Sequence, residues 1–460
     1  MENPSRISLR KSARMGGLTS ARAVRAVGMT AGFLSFLIPL SGFAVDAPTF
    51  RGDARHTGVY DAAGVPKLTG VKWTFHTEGR VIASTAIHGD SVYVGSTGGV
   101  MYAIDRAAGT ARWKYDAKAR IASSPAIAGG LVYFDAFDGN FYAVDEATGQ
   151  LKWKFKTGGE HRFSATHLHG SQPPTETMPD PWDCYLSSPV VWNGTVYFGS
   201  GDGNVYALDA ASGELKWKSK TGDVVHASPA IADGVVFIGS WDSYFYALDA
   251  ASGGLKWKFK TGEDPDIHNQ QGIQSSAVVM DGMVYFGCRD AHLYALDEQT
   301  GQMKWSYSTK GSWIIASPAV RDGKVYFTTS DTGRLYEADA KTGAILFSVN
   351  FKGWPLFSSP AIAGDTVYVG STAGTLNAVD LKSQAVGWTF ATETAKKNGP
   401  ALTTPEGKPD YASVFASDFY DDIMAGYVKL LSMGPILSSP VVVDNVIYVG
   451  SVDGNVHALD

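Results

Sequence analysis

The chain has 460 residues, 44% of them apolar, with 52 Gly, 12 Trp, 21 Tyr and 22 Phe. That is enough to bury a large core, in a composition suited to many short strands joined by tight turns. A net charge of −6 and only two cysteines, Cys184 and Cys288, argue against a nucleic-acid-binding basic surface, a disulfide framework and a four-cysteine zinc site.

At the N-terminus, Arg6, Arg10, Lys11, Arg14, Arg22 and Arg25 precede the apolar run AGFLSFLIPLSGFA. The run is too short to span a bilayer comfortably, and Gly42 and Ala44 suit a signal-peptidase site. Residues 1–44 therefore read as a signal peptide, with an uncleaved anchor as the alternative. Cleavage would remove six positive charges and Glu2, taking the net charge from −6 to −11. It would leave no transmembrane span, and the expected location is periplasmic or secreted. No Cys follows the apolar run, so a lipid anchor of the bacterial lipobox type is not expected.

From residue 45 the chain repeats itself. A tripeptide of the form A-x-D, written EAD in the copy at Asp339, ends at Asp105, Asp145, Asp209, Asp249, Asp297, Asp339, Asp380 and Asp460. Each of the first seven is followed by a turn and then an aromatic residue: Trp113, Trp153, Trp217, Trp257, Trp305, Phe347 and Trp388. Each copy holds four strand-like pieces in the order SSPAI, VYFGS, VYALD and LKWKF, the middle two separated by Asp-Gly or its like, a hairpin signal. We label these strands A to D from the axis outward. Four strands at a period near 40 specify an all-β fold, an eight-bladed β-propeller in which each blade buries its faces on its neighbours. The tryptophans are expected to wedge between blades, with the indole N–H on a backbone carbonyl. The eighth copy ends after strand C. The orphan strand VKWTFHT (Val71–Thr77) is therefore expected to complete the last blade and close the ring.

Three D-to-A connections are long. From the D-strand aromatic to the proline position of the next SSP, the usual spacing is 12 or 13 residues, but it is 36 from Trp153, 20 from Trp257 and 52 from Trp388. The insertions, at about 158–185, 262–274 and 391–434, all emerge on one face of a propeller, and long loops on a rigid scaffold are where function tends to sit. The first carries His161, His167, His169, Asp183 and Cys184. No metal site is assigned; His167 and His169 are the pair that could offer two imidazoles to a metal, with solvated loop histidines as the alternative. The second is polar, with His268, Asn269 and Gln274 as candidate ligand contacts. In the third, apolar residues every fourth position from Tyr411 to Leu431 predict an amphipathic helix over the face. Its Asp418, Asp421 and Asp422 could serve as paired carboxylates or simply face solvent.

Aligning the A strands places Arg80 and Arg120 in equivalent positions on adjacent blades. It places His226 beside Gln274, and Trp313 near Trp354. Together these are the candidate ligand-binding residues of a mouth suited to a planar or sugar-like anionic ligand; no catalytic residue is assigned.

The pattern A-x-D-x-x-[TS]-G-x-x-x-W, with SSPAI…G-VYVGS-DG, resembles that of the PQQ-repeat eight-bladed propellers, from FRGDARHTG (Phe50–Gly58) to the last residue. The resemblance implies a β-propeller and two kinds of function: a non-catalytic scaffold of the BamB type, or a quinoprotein dehydrogenase using PQQ and calcium on alcohols or sugars. The adjacent cysteines that many such dehydrogenases carry are absent, since Cys184 and Cys288 stand 104 residues apart. The lipid-bearing Cys usual in BamB-like proteins is absent too. The expectation is a single propeller, 45–460, acting as a ligand-binding or protein-interaction scaffold through its insertion-bearing face. Its partner would be an undetermined protein or a small anionic or sugar-like ligand, and no cofactor is fixed by the residues themselves. The PQQ- and calcium-dependent oxidoreductase is the alternative.

Overall fold

The structure is a computed structural model that describes residues 46–460; the signal-peptide reading lies outside the described residues. Eight four-stranded antiparallel blades follow one another around an axis. The eighth is built from Val441–Val443, Val446–Gly450 and Asn455–Leu459, with Val71–His76 as its outer strand. Trp73 faces Ala458 and His76 faces Asn455 across that junction, so the first regular strand of the ring and the last blade close it together.

The repeated residues are the joints between blades. Trp73, Trp113, Trp153, Trp217, Trp257, Trp305 and Trp388 each donate their indole N–H to a backbone carbonyl one blade along the ring, or in the N-terminal segment for Trp388, at 2.8–3.2 Å. Six of these rings lie against the glycine of the next blade's C–D turn. A Cβ on Gly109 would come within 2.5 Å of Trp73, and one on Gly149 within 2.6 Å of Trp113. The turn glycine of the repeat is thus required both by a positive φ and by the indole lying on it. Phe347 packs at the equivalent place without that donor.

A second set of joints encircles the axis. The backbone N–H of Ser84 donates to Ser124 Oγ, Ser124 to Ser188, and so on through Ser228, Ser276, Ser317, Ser359 and Ser439, which returns to Ser84, all at 2.8–3.2 Å. The second Ser of the SSP motif is therefore a structural belt of eight hydrogen bonds that ties strand A of every blade to the next.

Three residues further along each A strand, away from the insertions, residues 46–60 fill the axis. The carbonyls of Ala47, Pro48, Ala54, Arg55, Thr57 and Gly58 accept from Ile87, Ile127, Ile231, Val279, Val320 and Ile362 in turn, at 2.7–3.1 Å. Val59–Tyr60 then pairs in parallel with strand A of blade 7. Arg51, fully buried, donates to the carbonyls of Pro360 and Pro318 at 2.7 and 2.8 Å. Gly58 is needed beside it, because a Cβ there would lie 2.0 Å from the guanidinium. The segment closes the channel at that end, which leaves the insertion-bearing face as the open side of the axis.

The predicted helix of the third insertion is not continuous. It is two helices, α2 (Tyr411–Val414) and α3 (Tyr420–Leu431), preceded by α1 (Glu393–Asn398). Residues 418–420 give their backbone to the first insertion instead: Gln172 N–H donates to Asp418 O and Tyr420 N–H to Gln172 O. Ser417 also bonds Asp422 and the Phe419 N–H, a side-chain competition with helix hydrogen bonds that ends one helix and starts the next.

Candidate functional site

The mouth is built by the three insertions and the B–C turns beneath them, and two buried ion clusters hold the pieces together. In the first cluster, His226 of blade 4 bonds Asp183 Oδ1 through Nδ1 and Glu160 Oε1 through Nε2, both at 2.7 Å. All three side chains are essentially inaccessible. Burial alone would lower the imidazole, but the two carboxylates overcome it and hold His226 up at about 10. Asp135 beside them is pushed well above its usual range, by burial and then by Glu160. In the second cluster, Arg289 from the B–C turn of blade 5 donates to Asp180 Oδ2 at 2.7 Å, and His169 Nε2 lies 3.1 Å from the same oxygen. The Arg289 guanidinium lies between the Trp241 and Trp313 rings, 4.7 and 4.0 Å from their centroids. Burial opposes ionisation of Asp180, but the Arg289 and His169 charges hold its carboxyl well below the ordinary range. Each buried carboxylate paired in this way is a clamp between an insertion and a blade.

These clamps reassign several candidates. His226 is committed to two carboxylates. His169 faces Asp180 through Nε2 and Asn269 Oδ1 through Nδ1 at 3.0 Å, so Asn269 joins the second insertion to the first. His167 stands just before the short helical turn Leu168–Gly170, and among the described residues no group of three His, Cys, Asp or Glu is placed to hold a metal ion. His268 bonds Gln271 within its own loop at 2.6 Å. Gln274 donates to Trp182 O at 2.9 Å, while its Oε1 is buried without a partner beside a small axial cavity.

Arg80 and Arg120 do come together, and not with the tryptophans. They line a pocket of about 250 Å³ with Arg162 of the first insertion, Cys184 and Tyr427 of α3. Their backbones are pinned by Thr97 and Phe137. Among the described residues, no carboxylate lies within ion-pair distance of Arg80, Arg120 or Arg162. Sequence alignment of A strands could not find Arg162, because it sits in an insertion outside the repeat register. Trp313 and Trp354 line a second cavity on the other side of Tyr427 and Leu431. The helix α3 thus divides the single mouth expected from the sequence into two compartments. Asp418, Asp421 and Asp422 lie at the start of α3 and line neither.

Cys184 and Cys288 are both buried and free. Burial holds the Cys184 thiol up at about 11 and pushes Cys288 well above the usual thiol range. Thiol titration is therefore expected to return two groups after denaturation without reductant, and slow, incomplete reaction in the native protein. A count of zero would contradict the placement of the two on separate blades.

The family model described as outer membrane protein assembly factor BamB matches residues 67–178, 182–313 and 308–416. No curated protein matches the chain. Among solved structures, BamB from Moraxella catarrhalis superposes with a TM-score of 0.60 at 17% identity, over 85% of this chain and 97% of that one. The quinohemoprotein alcohol dehydrogenase from Comamonas testosteroni gives 0.64 at 16%, over 90% and 80%. A computationally designed protein, Ika8, gives 0.61 at 16%, over 85% and 99%. At these identities the likeness is one of fold.

Proposed function

The chain belongs to the PQQ-repeat family whose model is described as outer membrane protein assembly factor BamB, and from that premise we propose a periplasmic or secreted binding propeller that takes a small anionic ligand on its insertion-bearing face. The observation that carries this reading is the convergence of Arg80, Arg120 and Arg162 on one pocket without a carboxylate partner among the described residues. Three guanidiniums that share a cavity repel one another, and an anion relieves the repulsion while gaining charge-assisted hydrogen bonds of about 1.5–3 kcal/mol each.

Citrate, phosphate and PQQ, which carries carboxylates, are each to be titrated against the melting temperature. At least one is expected to raise it in a concentration-dependent way. Arg80→Ala, Arg120→Ala and Arg162→Ala should each weaken that shift and leave the melting temperature without ligand nearly unchanged, because among the described residues none of the three side chains bonds another. Absence of any shift, or unfolding by each single substitution, would make the arginines structural.

The same face would serve a protein-interaction scaffold, since Phe419 and Val428, at the cap and on the outer side of α3, are 57% and 53% exposed. In that case Phe419→Ser with Val428→Ser would abolish a partner contact without touching anion binding.

The PQQ- and calcium-dependent oxidoreductase is the second reading, supported by the likeness of fold to the quinohemoprotein alcohol dehydrogenase. Of the buried acids of the mouth, Glu160 and Asp183 are paired with His226 and Asp180 with Arg289, while Asp135 has no cation partner among the described residues. Arg289 covers one face of Trp313, and Trp241 lies between Arg289 and Phe163. No catalytic step is derived through that cofactor.

A further inference from the structure

Under α2 and α3 lies a cavity of about 260 Å³ walled by aromatic rings, among them Trp182, Trp354, Phe357, Phe415 and Tyr427, with Trp313 and Thr372 at its side and the exposed Asp331 at its rim. Among the described residues no Lys, Arg or His lines it. Its rings are held in place: Trp354 donates its N–H to Gly407 O at 3.0 Å, and Trp182 packs edge-on against Tyr427 with centroids 4.9 Å apart. Two polar atoms of otherwise buried side chains, Trp313 Nε1 and Thr372 Oγ1, have no partner, and both residues are 7% exposed. Buried polar atoms without partners are rare in folded proteins, and these two are available to a ligand hydroxyl.

We propose that this cavity binds a small organoammonium cation that carries a hydroxyl a few bonds from its nitrogen. The chemistry of the walls selects for it. Aromatic faces carry negative quadrupole density and attract a cation that has shed its water, and a trimethylammonium head sheds water easily. Asp331 is the one charged residue among the described residues at the rim, and it is negative. An anion would meet both that carboxylate and the ring faces. A sugar would leave most of its hydroxyls facing carbon, at a cost for each. The ligand hydroxyl answers the two unpartnered groups, accepting from the Trp313 N–H and bonding the Thr372 hydroxyl. Arg289 lies over one face of Trp313, so that residue contributes its N–H, and the other rings supply the cation contacts. The site is separate from the arginine pocket and stands whether or not that pocket takes an anion.

The experiment titrates the purified protein with choline, with its uncharged carbon isostere 3,3-dimethyl-1-butanol, and with glucose, following tryptophan fluorescence and heat of binding. Choline is expected to bind saturably, at least about tenfold tighter than the isostere. Asp331→Asn, at an exposed position where folding is not at stake, is expected to weaken choline about tenfold and leave the isostere unchanged. Arg80→Ala should leave choline binding intact, which separates this site from the anion pocket. Equal binding of the isostere would show an apolar cavity without cation selectivity. Tighter binding of glucose, no saturable binding of choline, or indifference to Asp331→Asn would each overturn the proposal.

Discussion

A chain lacking residues 46–77 is expected to aggregate and to show no cooperative melting transition. The segment does two things that no other part of the chain replaces. Val71–His76 is the outer strand of blade 8, and without it Asn455–Leu459 becomes an unpaired edge of the kind that recruits other chains. Residues 47–58 accept hydrogen bonds from the A strands of six blades, and Thr49 bonds Pro189 O on another, blade 3. Each buried N–H left without an acceptor costs about 1–3 kcal/mol, and a domain's whole stability is about 5–15 kcal/mol. Water entering the opened channel would restore part of that loss but none of the blade closure. Size-exclusion chromatography and calorimetry on the truncated protein test this, and a monomer with an unchanged transition would refute it. Arg51→Ala should do far less, since it removes two bonds to Pro318 and Pro360 and leaves the strand in place.

His226→Leu is expected to be the most damaging single substitution in the mouth, at about 3–5 kcal/mol. It leaves Asp183 and Glu160, both inaccessible to solvent, facing each other without the imidazolium between them. Asp183 also accepts the Phe163 N–H, so the first insertion should loosen with it. The pH dependence follows from the direction of the shift. The folded pKa of about 10 lies above the usual 6.5. The stabilisation is therefore fully present below about 6.5 and is lost as pH rises through about 10. Asp135, raised by burial, adds loss in the same direction as pH rises above the ordinary carboxylate range. On the acid side, His56 is lowered to about 3 by burial and then by Arg51. It must take up a proton when the chain unfolds, so stability also falls as pH drops below about 6.5. Scanning fluorimetry should show the melting temperature of the unmodified protein falling between about pH 7 and 10. The gap between it and His226→Leu should narrow over the same range, because the unmodified site loses its imidazolium there. A constant gap would mean that His226 is neutral in the folded protein.

The ring itself was legible from the repeat. Strand pieces, turn chemistry, the wedged tryptophans and closure by Val71–His76 all follow from short-range patterns that recur near every 40 residues, and a pattern written eight times fixes its own register. What only the tertiary structure decided lies where the pattern stops. FRGDARHTG has no alternation to read, and its hydrogen-bond partners on the blades stand from about 180 to more than 300 residues away, so its place in the channel could not be inferred locally. Arg162 joins Arg80 and Arg120 from an insertion that carries no repeat register. Asp180, Asp183, Glu160 and Arg289 look in sequence like solvated loop residues, and are buried because each finds its counter-charge on a different element. The break between α2 and α3 arises because Gln172 competes for the backbone of residues 418–420. Periodic residues meet partners at fixed offsets, which a sequence records. Loop side chains meet partners set by long-range packing, and at such positions residue type constrains the chemistry but not the neighbour.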